Sequence, residues 1–217
     1  RGIKLISLAP SEVKSPKLTS DWENSLSLMA QGKFTPQQFM SDIEKFTAVH
    51  TFADAVVVAG KQAIRVTKDS QIKAFDEPTF ARLAGPDFKD GIIEVQVLSR
   101  LLPDAPDFAR GFIGLAFRID ESNAHFECLY IRPVNGRAQD QVQRNHATQY
   151  FSYPDFKFDR LRQEANGKYE SYADMVLDQW IALKIEVQGE TAKLYLHQQE
   201  QPTLIVRDLK HGADASG

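Results

Sequence analysis

The stretch ALKIEVQGETAKLYLH, residues 182–197, decides the fold class. Leu183, Ile185 and Val187 alternate with polar residues, and Leu194 and Leu196 resume the alternation after the turn Gln188-Gly189-Glu190. A period of two turns one face of each run toward a core and the other toward water. A short Gly-bearing turn between two such runs closes an antiparallel hairpin. Outward from this hairpin the same pattern recurs back to about Val49. Strands are expected at 55–59, 62–67, 80–83, 92–98, 112–119, 126–132, 147–152, 180–187, 192–197 and 203–206. The turns between them include Ala59-Gly60-Lys61, Lys89-Asp90-Gly91, Val134-Asn135-Gly136 and Asn166-Gly167. Many short strands with almost no helix between them predict a mainly β protein, an antiparallel β-sandwich or jelly roll.

The first 49 residues read differently. Thr19 or Ser20 caps a helix whose first turn holds Asp21 and Glu23 and whose stripe is Trp22, Leu26 and Met29, with Gly32 as its stop. Thr35 and Pro36 open a second helix with Phe39, Met40, Ile43 and Phe46 on one face. The expected organisation is a short helical N-terminal segment, 1–49, followed by a β domain, 50–217.

Bulk composition narrows the function classes. Net charge is −3, so no basic field draws nucleic acid or anionic lipid. Residues 1–46 carry six basic and five acidic side chains, little for a phosphate backbone to bind. The single cysteine, Cys128, excludes an internal disulfide and a thiolate zinc cluster. No apolar run reaches the roughly 18 residues of a membrane span. IKLISLAP lacks a signal-peptide layout, so the reading is a cytoplasmic chain or one whose leader is gone.

Two resemblances follow from particular motifs. GIKLISLAPSEVKSPKLTSDWENSLSLMAQGKFTPQQFMSDI contains a KSPKLT element, a W-E-x-x-L element and a G-K followed by Phe-Met. In these it resembles the end of the catalytic core of type IA DNA topoisomerases, over Gly2 to about Phe46. The DNA-cleaving tyrosine and acidic metal site of that family have no counterpart here, so the resemblance implies no strand passage. The remainder carries G-x-A-F-R, Y-x-R-P, Q-Y, W-x-x-x-K-I-E-V-x-G and P-x-L-x-V-x-D-L elements. It resembles concanavalin A-like jelly rolls, the class of lectins and glucanases, and specifically those related to the 3-keto-disaccharide hydrolase domain. This implies two curved sheets, a carbohydrate-linked role and a secreted or cell-envelope setting, whereas the N-terminal resemblance favours the cytoplasm. It also implies a final apolar strand after HGADASG. Without that strand a sheet edge is open to self-association. Together the two resemblances make the chain a composite.

Glycosidase chemistry needs two carboxylates across a sugar, and on one strand the pattern is E-x-D-x-x-E because alternate residues share a face. That spacing is absent; Glu94 is followed by Gln96. Glu94 and Glu127 are the catalytic candidates that remain. Sugar binding needs aromatic faces and planar hydrogen-bonding groups. Arg118 shares its strand parity with the small residues Gly114 and Ala116, and Arg132 shares that of Phe126, Cys128 and Tyr130. Gln149 and Tyr150 match the Q-Y element. Arg118, Tyr130, Arg132, Gln149 and Tyr150 are therefore the expected ligand contacts. The competing reading pairs the arginines with Glu94 or Glu127 in a structural role. Asn145 and His146 read as turn residues. The histidines lack metal-ligand spacing, and nothing supports calcium at Asp104, Asp107 or Asp120, so no cofactor is expected. The leading expectation is a non-catalytic carbohydrate-binding domain. The alternatives are a glycoside-active hydrolase or lyase, and a fusion or truncated product without independent activity.

Overall fold

The computed structural model describes residues 2–7 and 43–217 except 86 and 104. The expected hairpin is present. Strands β11 (Ile181–Gln188) and β12 (Thr191–Leu196) pair antiparallel with Leu183 opposite Leu196, Ile185 opposite Leu194 and Val187 opposite Ala192. These six side chains are buried, and burial of a residue such as Leu or Ile is worth about 1.5–3 kcal/mol. Gly189 supplies the positive φ (55°) that the two-residue turn requires.

The other strands, in chain order, are β1 (Gly2–Ser7), β2 (Phe46–Val49), β3 (Thr51–Val58), β4 (Lys61–Lys68), β5 (Phe80–Leu83), β6 (Gly91–Leu101), β7 (Ile113–Phe117), β8 (Phe126–Ile131), β9 (Thr148–Tyr153), β10 (Glu170–Ser171) and β13 (Leu204–Val206). A 3-10 turn at Pro133–Asn135 and the helices α1 (Gln141–Asn145) and α2 (Phe158–Glu164) interrupt them. A seven-stranded sheet has the order β13-β12-β11-β6-β1-β4-β3, a four-stranded sheet β10-β9-β8-β7, and β2 pairs with β5. Every named pairing is antiparallel. The two larger sheets contribute to one core, with Val95, Val97, Leu183 and Ile185 from one and Ile113, Phe117, Leu129 and Ile131 from the other.

Three differences from the sequence reading have physical causes. Phe46 was expected on a helical stripe, but it opens β2, where Phe46-Thr47-Ala48-Val49 pairs with Phe80–Leu83. Three of these four residues are aromatic or β-branched and suit a pleated surface. The two expected helices otherwise fall almost wholly outside the described residues. Gly2–Ser7, in the segment expected to be helical, is a strand between β4 and β6. Finally, β7 stops at Phe117, because Arg118 takes a left-handed backbone (φ 52°) and leaves the strand.

The four-stranded sheet carries a polar cluster beside a groove

The register places Gly114, Tyr130, Gln149 and Glu170 in one row across β7, β8, β9 and β10. Directly paired antiparallel residues share a face, so this row lies on one side of the sheet. Arg132, one residue past β8, reaches back over it. Its Nη2 donates to the Tyr130 hydroxyl (2.8 Å) and to Gln149 Oε1 (2.9 Å), and its Nη1 to Glu170 Oε1 (2.9 Å) and the His146 carbonyl (3.0 Å). Arg162 on α2 grips the same carboxylate from the other side, Nε to Oε2 at 3.0 Å and Nη2 to Oε1 at 2.5 Å. Burial alone would raise the Glu170 carboxyl. The hydrogen bonds and charges of Arg162 and Arg132 outweigh it and hold Glu170 below the ordinary glutamate value. Burial pushes the Tyr130 phenol up, so it stays a neutral hydroxyl.

Beside this cluster opens a groove of about 840 Å³. Glu170, Arg162 and His146 line it with Asp159, and Tyr172, 49% exposed, stands in its wall with Val142. A concave space of this size with a few converging polar groups is where a small-molecule site is sought first. A strap before β5 anchors α2: Asp76 Oδ2 accepts the Phe158 N–H at 3.0 Å, a capping contact that Lys157 does not supply. Burial pushes the Asp76 carboxyl up, against that hydrogen bond and the charges of Arg132 and Lys157.

Three expected ligand residues, Tyr130, Arg132 and Gln149, thus come together, and the carboxylate that Arg132 binds is Glu170 rather than Glu94 or Glu127. The other candidates lie elsewhere. Arg118 has a fully buried side chain, donating to the carbonyls of Lys89 (2.9 Å), Gly212 (2.9 Å) and Gly189 (2.7 Å) and to Asp90 Oδ1 (3.1 Å). It joins three turns. Gly114, which shares the strand parity of Arg118, leaves no open space: an added Cβ would lie 2.5 Å from Tyr130 Cα on the adjacent strand. Tyr150 and Glu127 occupy the opposite face of the sheet. The Tyr150 hydroxyl donates to Glu127 Oε2 (2.7 Å) and accepts the Lys210 N–H (2.9 Å), and Glu127 Oε1 accepts the His211 N–H (2.9 Å). Burial first, then the Glu127 charge, pushes the Tyr150 phenol up. Glu94 belongs to the other large sheet, paired in register with Lys184. Glu94 and Glu127 therefore do not meet across a cleft.

Sequence reading missed Glu170, Arg162 and His146. Each is isolated in its local sequence: the pairing of β9 with β10 brings Glu170 to Arg132, α2 brings Arg162, and the β8–β9 connection brings His146. Among the described residues no group of three or more His, Cys, Asp or Glu side chains is arranged to hold a metal. Asp120, one of the calcium candidates, accepts instead from Ala124 N–H (2.8 Å) and Ser122 Oγ (2.9 Å) in its own turn. No helix among them is long and apolar enough to cross a membrane.

The fold and site define a mainly β protein of antiparallel sheets with a polar groove on the smaller large sheet. Comparison with known proteins addresses a different part of the chain. The chain is 43% identical over 47 residues to DNA topoisomerase 3 of Staphylococcus saprophyticus, and 40% identical over 47 residues to that of Bacillus anthracis. Each match covers 22% of this chain, and 7% and 6% of those proteins respectively. The chain thus matches only a small part of the length of these relatives, and the similarity supports the topoisomerase-like reading of the N-terminal stretch. No family model and no solved structure matches the chain.

Proposed function

We propose that the β domain is a concanavalin A-like jelly roll that binds carbohydrate in the groove beside Glu170. The observation that carries this reading is a groove lined by Glu170, Arg162, His146 and Tyr172, in which Glu170 is held from behind by Arg132, itself fixed by Tyr130 and Gln149. Planar guanidinium and carboxylate groups suit hydroxyl pairs, and an exposed tyrosine ring suits the apolar face of a pyranose. The two antiparallel sheets on one core support the jelly-roll assignment.

Calorimetric titration with neutral oligosaccharides and a glycan array test the binding. Saturable binding by folded protein, weakened by Tyr172→Ala, is the expected result. Folded protein that binds no glycan ends the reading.

A second reading concerns the chain as a whole: a composite of a topoisomerase-like piece, whose strand β1 lies within the seven-stranded sheet, and the β residues that follow it. The 47-residue similarity, set against a remainder with no family match, favours it. Association of two chains through an outermost strand accompanies this reading. Strand β3, with Phe52 and Val57 exposed, is the candidate edge, and light scattering across a concentration series tests it.

A further inference from the structure

His146 is held by its backbone and leaves its ring to the groove. Its carbonyl accepts from Arg132 Nη1 (3.0 Å) and Asn135 Nδ2 (2.8 Å), which fixes the residue between β8 and β9. Its Nδ1 lies 2.8 Å from Glu170 Oε2, yet forms no aligned hydrogen bond and is shut off from solvent. The side chain is 20% exposed and lines the groove. With Nδ1 against the carboxylate, Nε2 sits on the far edge of the ring. An imidazole backed by a buried carboxylate is the arrangement that moves protons in acid–base catalysis, and such contacts are often imperfectly aligned before substrate binds.

We propose that His146, with Glu170 as its positioning residue, is the proton-transferring group of a hydrolytic site acting on ester-linked saccharides in this groove. The proposal rests on the carbohydrate reading of the same groove. The step balances without a further reactant. A water O–H bond breaks as its proton moves to Nε2, and the water oxygen bonds to the acyl carbon. The carbonyl electron pair moves onto oxygen. Arg162 uses Nε and Nη2 on Glu170 and lines the same groove, so its positive charge favours that oxyanion. Collapse breaks the bond to the sugar oxygen, which takes the proton back from Nε2. The products are a carboxylic acid and a sugar hydroxyl. The charged groups around the ring are Glu170 from β10, Arg162 and Asp159 from α2, and Arg132 beyond β8. Glu170 is ionised and bound by two guanidinium groups, so it supports an imidazolium but does not act as the acid that glycosidic cleavage requires.

The test measures acetate release from partially acetylated xylo-oligosaccharides, with calorimetric binding of the same compounds and release from 4-nitrophenyl β-glucoside as the glycosidic control. Wild type is expected to release acetate and leave the glucoside intact. His146→Gln should keep its circular dichroism and thermal midpoint, because the contacts of residue 146 to Arg132 and Asn135 run through its carbonyl. It should lose kcat by about 100-fold or more with KM little changed. Glu170→Asp should move the acid limb of the pH–rate profile. Two results overturn the proposal: His146→Gln with wild-type kcat, or wild type that binds the compounds without releasing acetate. Failure to bind any of them would overturn the carbohydrate reading first, and this proposal with it.

Discussion

Arg118 and Arg132 were equivalent in the sequence, each set among apolar strand residues, and both are buried. Their surroundings differ in kind. Arg118 donates mainly to backbone carbonyls of three separate turns, around Lys89, Gly189 and Gly212. Arg132 donates mainly to side chains, Tyr130, Gln149 and Glu170, the last of which lines a groove. A guanidinium that satisfies main-chain acceptors from distant loops ties loops together. One that orders side chains fixes a polar row of the sheet beside open space. The difference begins in the backbone, because the left-handed conformation of Arg118 takes it off the sheet face that Arg132 stays on.

The largest test of this contrast is Glu170→Ala. It leaves Arg132 and Arg162 without their carboxylate, and loss of one partner from a buried pair costs about 3–5 kcal/mol. At about 2–4 °C per kcal/mol for a chain of this size, the thermal midpoint should fall by roughly 10 °C, and glycan binding should be lost. Arg118→Met should cost about 3 kcal/mol in chemical denaturation, since charged hydrogen bonds go and carbonyls lose their donors. Its folded fraction should nevertheless bind glycan with unchanged affinity. A weakened affinity there would erase the distinction between the two arginines. Gly114→Ala forces a Cβ to within 2.3 Å of the Leu129 carbonyl oxygen, and overpacking of this kind costs about 1–3 kcal/mol. Tyr172→Ala should leave stability within about 0.5 kcal/mol and weaken glycan binding about 2- to 10-fold.

The smallest effects come from pH, and two carboxyls near Arg132 have opposite signs. Glu170 is held below its unfolded value, so its stabilisation is present above the ordinary glutamate range and is lost as pH falls through the folded value. Asp76 is raised, so its favourable term is present below the unfolded value and is lost as pH rises through the folded one. Asp76→Asn, which keeps a capping group, should therefore raise the thermal midpoint at pH 7 and lose that gain near pH 3. A gain that grows toward acid pH would reverse the assignment.

The strands were legible because alternation is local. The segment 182–197 announced β11 and β12 down to their turn, and Tyr130 and Arg132 were assigned to one face by parity alone. What escaped was set by distance in the chain. Glu170 stands in a two-residue strand with too few positions to show a period, and its partners come from the residue after β8, from α2 and from the turn before β9. The strand parity of Arg118 failed for one reason, a backbone φ that no neighbouring residue signals. The position of Gly2–Ser7 between β4 and β6 depends on long-range pairing that no local pattern encodes.

The central claim is that the groove beside Glu170 is the ligand surface, and mapping backbone amide shifts by NMR as an oligosaccharide is titrated tests it most directly. The account predicts saturable shifts concentrated at His146, Arg162, Glu170 and Tyr172, with little change at Arg118, Lys89 and Gly212. Shifts that gather around Arg118, or on the seven-stranded sheet near Glu94 and Lys184, would contradict it.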